Sequence, residues 1–247
     1  MSLYAIGDLH LHFQAEVKAA GQRGGVWKNH EETFLRHCRS LIGPEDTLAL
    51  LGDHSWGRNL EEAREDLDFI AALPGRKILL RGNHDMFWDA KKTGKLNELY
   101  AGRLFFLQNN YAPYRDWALV GTKGYTFEGP FYLDGRGRIK GWDEEAREKA
   151  DTLVDREAQR LEASIEAARQ DGFTQFIVLL HYPPTNILER KSVFTRTAER
   201  IGASQVVYAH CHGQARFSDS LQGTYKGVRY RLVSGDYLNW RPEKLLD

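Results

Sequence analysis

Arg81-Gly82-Asn83-His84-Asp85 follows directly on the apolar run Ile78-Leu79-Leu80. An extended segment that leaves a core and ends in an amide, an imidazole and a carboxylate offers three polar groups at one rim. Four more stretches share this design: Asp8 and His10 after Leu3–Ile6, Asp53 after Thr47–Leu51, His181 after Phe176–Leu180, and His210 with His212 after Val206–Ala209. In Asp8-Leu9-His10 and His210-Cys211-His212, alternate side chains of an extended segment share a face, so both can point at one cation. Gly7, Gly52 and Gly82 stand immediately before Asp8, Asp53 and Asn83. A sharp turn or a close approach is open to them because they lack a Cβ.

Imidazole, carboxylate and amide oxygen together suit zinc, iron or manganese, whereas calcium takes oxygen only. The candidates are too many for one tetrahedral zinc. Two cations sharing a carboxylate use them well. A pair ~3.5–4 Å apart can activate a water and stabilise the oxygens of an in-line displacement at phosphorus.

The elements that must position these groups alternate. Leu3–Ile6, Thr47–Leu51 and Lys77–Leu80 read as strands, with helices between them. The first helix starts at Asn29, with Glu32 three residues on as in a capping box. The second starts at a capping Asn59 and carries Leu60, Ala63, Leu67, Ile70 and Leu73 as one apolar stripe. Residues 12–28 have no clear period and read as a loop or lid. A weak helix near 89–100 precedes strands at Leu104–Leu107 and Trp117–Val120. Residues 126–142, rich in Gly and Pro, read as a long loop that overhangs the rim. Asp143–Gln170 is a long helix with acids in its first turn, which suits the helix dipole. A short helix over 193–201 and strands at Phe176–Leu180, Val206–Ala209 and Val228–Val233 complete the chain. Apolar strands alternating with helices indicate an α/β fold with a sheet covered on both faces. No linker or repeat divides the chain, so one domain over residues 1–247 is expected.

The order GDxH, GD, GNHD, H, HxH resembles that of the calcineurin-like metallophosphoesterases, and it spans residues 3–213 here. Trp27-Lys28-Asn29-His30, Leu107-Gln108-Asn109-Asn110 and His181-Tyr182-Pro183-Pro184 are similar to a bacterial branch of predicted phosphohydrolases. The resemblance implies a four-layer α/β/β/α sandwich of two mixed β-sheets flanked by helices. It also implies a dinuclear centre of manganese, iron or zinc. Asp8, His10 and His212 would hold one ion and Asn83, His181 and His210 the other, with Asp53 bridging. A hydroxide between the ions would attack phosphorus. His84 would contact the phosphate and protonate the leaving group, and Asp85 would orient His84. Two departures stand out. Ala209 opens the last motif where Gly is usual, and His54-Ser55-Trp56-Gly57-Arg58 replaces the further Asp-Arg of the Ser/Thr protein phosphatases. The second departure argues against protein phosphatase activity.

His54, Arg58 and Lys123 stand at the same rim as candidates for substrate contact, against the alternatives of rim lining or solvated charge. Trp56, Phe87 and Trp88 either stack on a nucleobase or pack the walls. Cys211 points away from its flanking histidines and reads as a buried thiol. With 34 Lys plus Arg against 34 Asp plus Glu, the formal net charge is zero, so no broad nucleic-acid or anionic-membrane surface is expected. No apolar run approaches the ~20 residues of a membrane span. No secretory signal opens the chain, and two cysteines make no disulfide framework, so a cytoplasmic enzyme is expected. A small phosphorylated metabolite or nucleotide is the expected substrate. Phosphomonoesters, cyclic or linear diesters and pyrophosphates all suit this machinery. A metal-free scaffold that binds protein partners is the reading from another class.

Overall fold

Strands β1 (Leu3–Ile6), β2 (Thr47–Leu51) and β3 (Arg76–Leu80) are the apolar runs that end at the polar motifs. In the computed structural model, which describes residues 1–16 and 25–247, they pair in parallel, Tyr4 beside Leu48 and Leu50 beside Leu79. Helices α1 (His30–Leu41) and α2 (Arg64–Ala71) make the two crossovers. Helix α3 (Thr93–Leu99) leads to β4 (Phe105–Leu107), parallel to β3. A second sheet begins with the hairpin β5 (Tyr111–Tyr114) and β6 (Trp117–Thr122). After the small hairpin β7 (Phe131–Leu133) and β8 (Ile139–Trp142) comes the long helix α4 (Glu144–Gln170). The second sheet then continues through β9 (Gln175–Leu180), α5 (Val193–Arg200) and β10 (Gln205–Tyr208). Helix α6 (Gly213–Asp219), β11 (Gly223–Tyr225), β12 (Val228–Leu232) and β13 (Glu243–Leu246) close the chain. The sheets run β13-β1-β2-β3-β4 and β11-β12-β10-β9-β6-β5.

Period-two alternation sorts each strand's side chains into two cores. Tyr4, Ile6, Leu48, Leu50 and Leu79 meet Phe34, Cys38, Leu67 and Ile70 from the helices. Leu3, Ala5, Leu51, Ile78 and Leu80 turn the other way, onto Leu119, Ile177, Leu179 and Val207 of the second sheet. The outer face of that sheet, through Val120, Val178 and Val206, takes Leu161 and Ile165 of α4 and Ala198 of α5. The result is the expected four-layer α/β/β/α sandwich. Because neither sheet has a wet face, its central strands carry no polar alternation.

Several local expectations change. The 126–142 stretch is not all loop, because β7 and β8 pair antiparallel within it. Its exposed Phe131-Tyr132-Leu133 carries no period that would reveal a strand. Pro113 hid β5 in the sequence, and the structure puts that strand at a sheet edge, where a missing N–H is tolerated. Asn29 sits at the N-cap of α1 with φ 50° and makes no side-chain capping bond. Asn59 accepts from the Glu62 amide at 3.0 Å in a turn, and α2 itself begins later, at Arg64. Of the expected 12–28 loop, residues 25–27 form a 3-10 turn and 17–24 lie outside the described residues. Asp143 caps α4 as the acids suggested, accepting from the Ala146 amide at 2.9 Å. Among the described residues, no helix is long and apolar enough to cross a membrane.

Leu119 is fully buried between the sheets. Leu119→Ala is expected to cost about 2–5 kcal/mol. In urea unfolding its midpoint should fall with an unchanged m-value, while Leu99→Ala, at a 60% exposed position, should stay within about 0.5 kcal/mol of wild type.

Candidate metal centre

The motif residues leave their strands through a left-handed backbone. Asp8, His10, Asp53 and His210 have φ of 61°, 46°, 53° and 69°. Each such residue costs about 1 kcal/mol or more, and it persists only where its surroundings over-determine it. Here a mesh of bonds does so. Asp8 N donates to Gly52 O at 3.0 Å, His10 N to Asp53 O at 2.8 Å and Ala209 N to His181 O at 3.1 Å. Side chains then hold amides across the two sheets: His210 N donates to Asp8 Oδ2 at 2.9 Å, and His84 N to Asp53 Oδ1 at 2.8 Å. Two glycines leave room for this closeness. A Cβ on Gly52, φ 87°, would lie 2.5 Å from His181 Nδ1, and one on Gly82 would lie 2.1 Å from Asp53 Oδ1. Ala209 fits in place of the usual Gly because it faces Gly7, where a second Cβ would come within 2.5 Å of its own.

Two groups of ligand atoms result. Asp8, His10 and His212 offer atoms within 4.8 Å of one another, and so do Asp53, His181 and His210. Asp53 Oδ2 lies between them, 3.7 Å from His10 Nε2 and 3.4 Å from His181 Nε2. Burial opposes the charging of His181, but Asp53, hydrogen-bonded and charged beside it, together with Asp8 and the Leu51 carbonyl lifts its pKa to about 9. His181 Nδ1 donates to Leu51 O at 2.8 Å, and Nε2 faces Asn83 Oδ1 at 2.8 Å and His210 Nδ1 at 3.2 Å. Burial and the charged His181 together push His210 down to about 3. Burial raises the Asp8 carboxyl, partly offset by His212 and His181. Burial opposes ionisation of Asp53 too, yet His181, His10 and His84 outweigh it and hold the carboxyl well below its ordinary range. Three lone-pair donors, Asp53 Oδ2, Asn83 Oδ1 and His210 Nδ1, thus converge on His181 Nε2, and in the other group Asp8 Oδ1 is buried without a hydrogen-bond partner among the described residues. Both are arrangements that a cation completes, and the donor set fits a transition metal.

Asp85 departs from its expected role. Its carboxylate has no exposed surface and accepts from four amides, His54 N at 2.7 Å and Ser55 N at 3.3 Å on one oxygen, Gly82 N at 2.7 Å and Asp53 N at 2.9 Å on the other. The His84 ring is not among its partners; that ring packs 4.4 Å from Trp56 and 5.4 Å from His10. His54 is buried as well, its Nε2 against Leu80 O at 2.9 Å, so its ring does not reach the rim. Arg58 is exposed and paired with Glu62 at 2.9 Å. Lys123 is the one of these three candidates brought beside the centre, its Nζ 5.4 Å from the Tyr182 ring centroid, with that ring 4.1 Å from His210. Trp56 stacks on His10 at 5.1 Å, while Phe87 and Trp88 are core residues. Cys211 is a buried thiol pushed up to about 11 by burial.

Sequence reading missed Asp236. It accepts from His212 Nδ1 at 2.9 Å and so turns Nε2 toward Asp8 Oδ1, 3.9 Å away. The signal for it was weak: Gly235-Asp236 follows an apolar strand end, as Gly7-Asp8 and Gly52-Asp53 do, but with an extra Ser234 between.

Known proteins carry the same fold. The chain covers 99% of its length and 95% of that of the phosphopantetheinyl hydrolase of Mycobacterium tuberculosis at a TM-score of 0.55 and 17% identity. The gene 66 protein of Mycobacterium phage L5 is 33% identical over 78 residues, which is 32% of this chain and 37% of the phage protein. The uncharacterized protein MJ1445 of Methanocaldococcus jannaschii is 23% identical over 108 residues, 44% of this chain and 58% of that one. Those matches span less than two thirds of either relative. The description "calcineurin-like phosphoesterase" applies to residues 1–214, a stretch that holds all five motifs and both ligand groups, and the chain belongs to that family.

Proposed function

We propose that the protein is a metal-dependent hydrolase of phosphate esters with a dinuclear centre. The observation that carries this reading is the position of Asp53, with one carboxylate oxygen facing both ligand groups. Asp8, His10 and His212 would hold one cation, and Asn83, His181 and His210 the other, with Asp53 shared. The donor set suits manganese, iron or zinc. When bound, such a pair supplies an activated water and stabilises charge on phosphoryl oxygens.

The protein's own residues supply position and a proton. The Asp53 bond to the His84 amide keeps the His84 ring beside His10, over the first ligand group. From there it would donate to the leaving oxygen as general acid. Trp56 walls both rings and limits water at the spot where the proton moves. Zero net charge favours a small phosphorylated metabolite or nucleotide over a polyanion. Two free, buried cysteines suit the reducing cytoplasm.

Asp53→Asn is expected to abolish turnover of a phosphate-ester panel assayed with manganese and to lower bound metal, measured by elemental analysis of reconstituted protein. Wild-type rate and metal content in that variant would remove the shared-ligand assignment. His84→Ala should keep its metal but slow hydrolysis by about 10²–10⁴-fold, most for esters with poor leaving groups. Equal slowing across leaving groups would assign His84 another job. Asp236→Ala frees the His212 ring to turn, and metal affinity is expected to drop about 10–100-fold in a competition titration with a chelating dye.

A further inference from the structure

Arg81 follows β3 and Lys123 follows β6, so two cations from different sheets arrive at the rim that carries Asn83 and His181. Helix α4 adds Arg156 and Arg160 on its neighbouring turns. At the middle of this group lies Glu157, a carboxylate with no exposed surface. Thr122 Oγ1 donates to it at 2.6 Å and Arg160 Nη1 at 2.7 Å, which answers its charge. Arg156 reaches the same carboxylate at longer range, with Nε and Nη2 each 3.5 Å from Glu157 Oε1. Among the described residues Lys123 forms no ion pair; its ammonium rests over the Tyr182 ring, and its strongest charged neighbours are Glu157, Arg81, Arg156 and Arg160. The Arg81 guanidinium has no hydrogen-bond or ion-pair partner among the described residues, and its Nε is buried.

Four cations, Arg81, Lys123, Arg156 and Arg160, therefore gather around the single carboxylate of Glu157, and the group carries an excess of positive charge. Holding like charges together is unfavourable where Arg81 and Lys123 are partly buried, and an anion entering the group relieves it. The cluster is also near the ligands. The Tyr182 ring touches His210 at 4.1 Å and carries the Lys123 ammonium at 5.4 Å, so ammonium and imidazole are at most the sum of these distances apart. The Lys123 carbonyl accepts from His181 N at 3.1 Å and Tyr182 N at 2.9 Å, which fixes that spacing in the backbone.

We propose that Arg81, Lys123 and Arg156 form an anion subsite beside the metal centre that takes a second phosphoryl group of the substrate. The substrate class is then a phosphate ester carrying two separate phosphoryl groups, one cleaved at the metals and one held by guanidinium and ammonium donors. Glu157 and Arg160 brace the subsite without consuming its charge. This inference rests on the phosphoesterase reading of the adjacent centre.

A matched pair of substrates tests it: a nucleoside 3′,5′-bisphosphate and the corresponding nucleoside 5′-monophosphate, assayed on manganese-reconstituted protein. Wild type should prefer the bisphosphate in kcat/KM. In the double variant Arg81→Gln/Lys123→Gln that preference should fall about tenfold, through KM rather than kcat. Arg156→Gln, at an exposed position that folding does not depend on, should lower it in the same direction and by less. Added salt should erode the wild-type preference as well. An unchanged preference in all variants overturns the subsite, as does a loss shared equally by both esters. If neither ester is hydrolysed, the phosphoesterase reading fails separately, and calorimetric titration of the intact bisphosphate decides the subsite. About tenfold weaker binding to the double variant supports it, and equal binding refutes it.

Discussion

The Asp85 carboxylate, sealed from solvent, joins the ends of β2 and β3 by taking the amides of Asp53, His54 and Ser55 on one side and Gly82 on the other. Much of the centre depends on that junction. Asp53 sits in the left-handed region because its amide is held from Asp85, and its own carboxylate then reaches the His84 amide and the space between His10 and His181. Charge-assisted bonds from an ionised carboxylate to amides are roughly twice as strong as neutral ones, which suits a role that must offset backbone strain. Asp85 thus acts on the chemistry through Asp53, and not through the imidazole beside it in sequence.

A second constraint is electrostatic. Two carboxylates, Asp8 and Asp53, and two imidazoles, His10 and His181, are packed at positions with little or no exposed surface, an arrangement that costs free energy unless a cation joins it. His181 Nε2 lies at the middle of three lone-pair donors, Asp53 Oδ2, Asn83 Oδ1 and His210 Nδ1, where a cation is favoured. Aromatic rings shape the surroundings. Trp56 lies against His10 and His84, Trp27 approaches His10 and His212 at 5.6 and 5.4 Å, and Tyr182 lies against His210. They hold imidazoles in place and lower the local dielectric, which strengthens each charge interaction inside.

The same rim gathers acids and cations in separate places. Carboxylates converge on the seam between the sheets, while Arg81, Lys123 and Arg156 gather around the end of β6 and the adjoining face of α4. The chain's zero net charge conceals this separation, which becomes visible only after folding.

What the amino-acid sequence determined by itself is the set of strands and their polar ends. Apolar runs of three to five residues leading to Gly-Asp, Gly-Asn-His-Asp, His or His-x-His specify a sheet rim of ligands, because period-two alternation and strand-end placement are local properties. Other features depended on the tertiary structure. His54 and Asp85 looked like rim groups and proved to be buried, His54 because a left-handed turn at Asp53 swings it into the core, and Asp85 because its carboxylate accepts the amides at the ends of β2 and β3. Asp236 and the Lys123 cluster join groups up to tens of residues apart, and local pattern offers nothing for them beyond the weak Gly235-Asp236 signal. The β5 and β7 strands were hidden by Pro113 and by an exposed, aperiodic hairpin. Chemistry carried by residue type and spacing was legible in the chain. Side-chain direction and long-range partners were decided by packing, because a turn of one residue's φ reverses where its neighbours point.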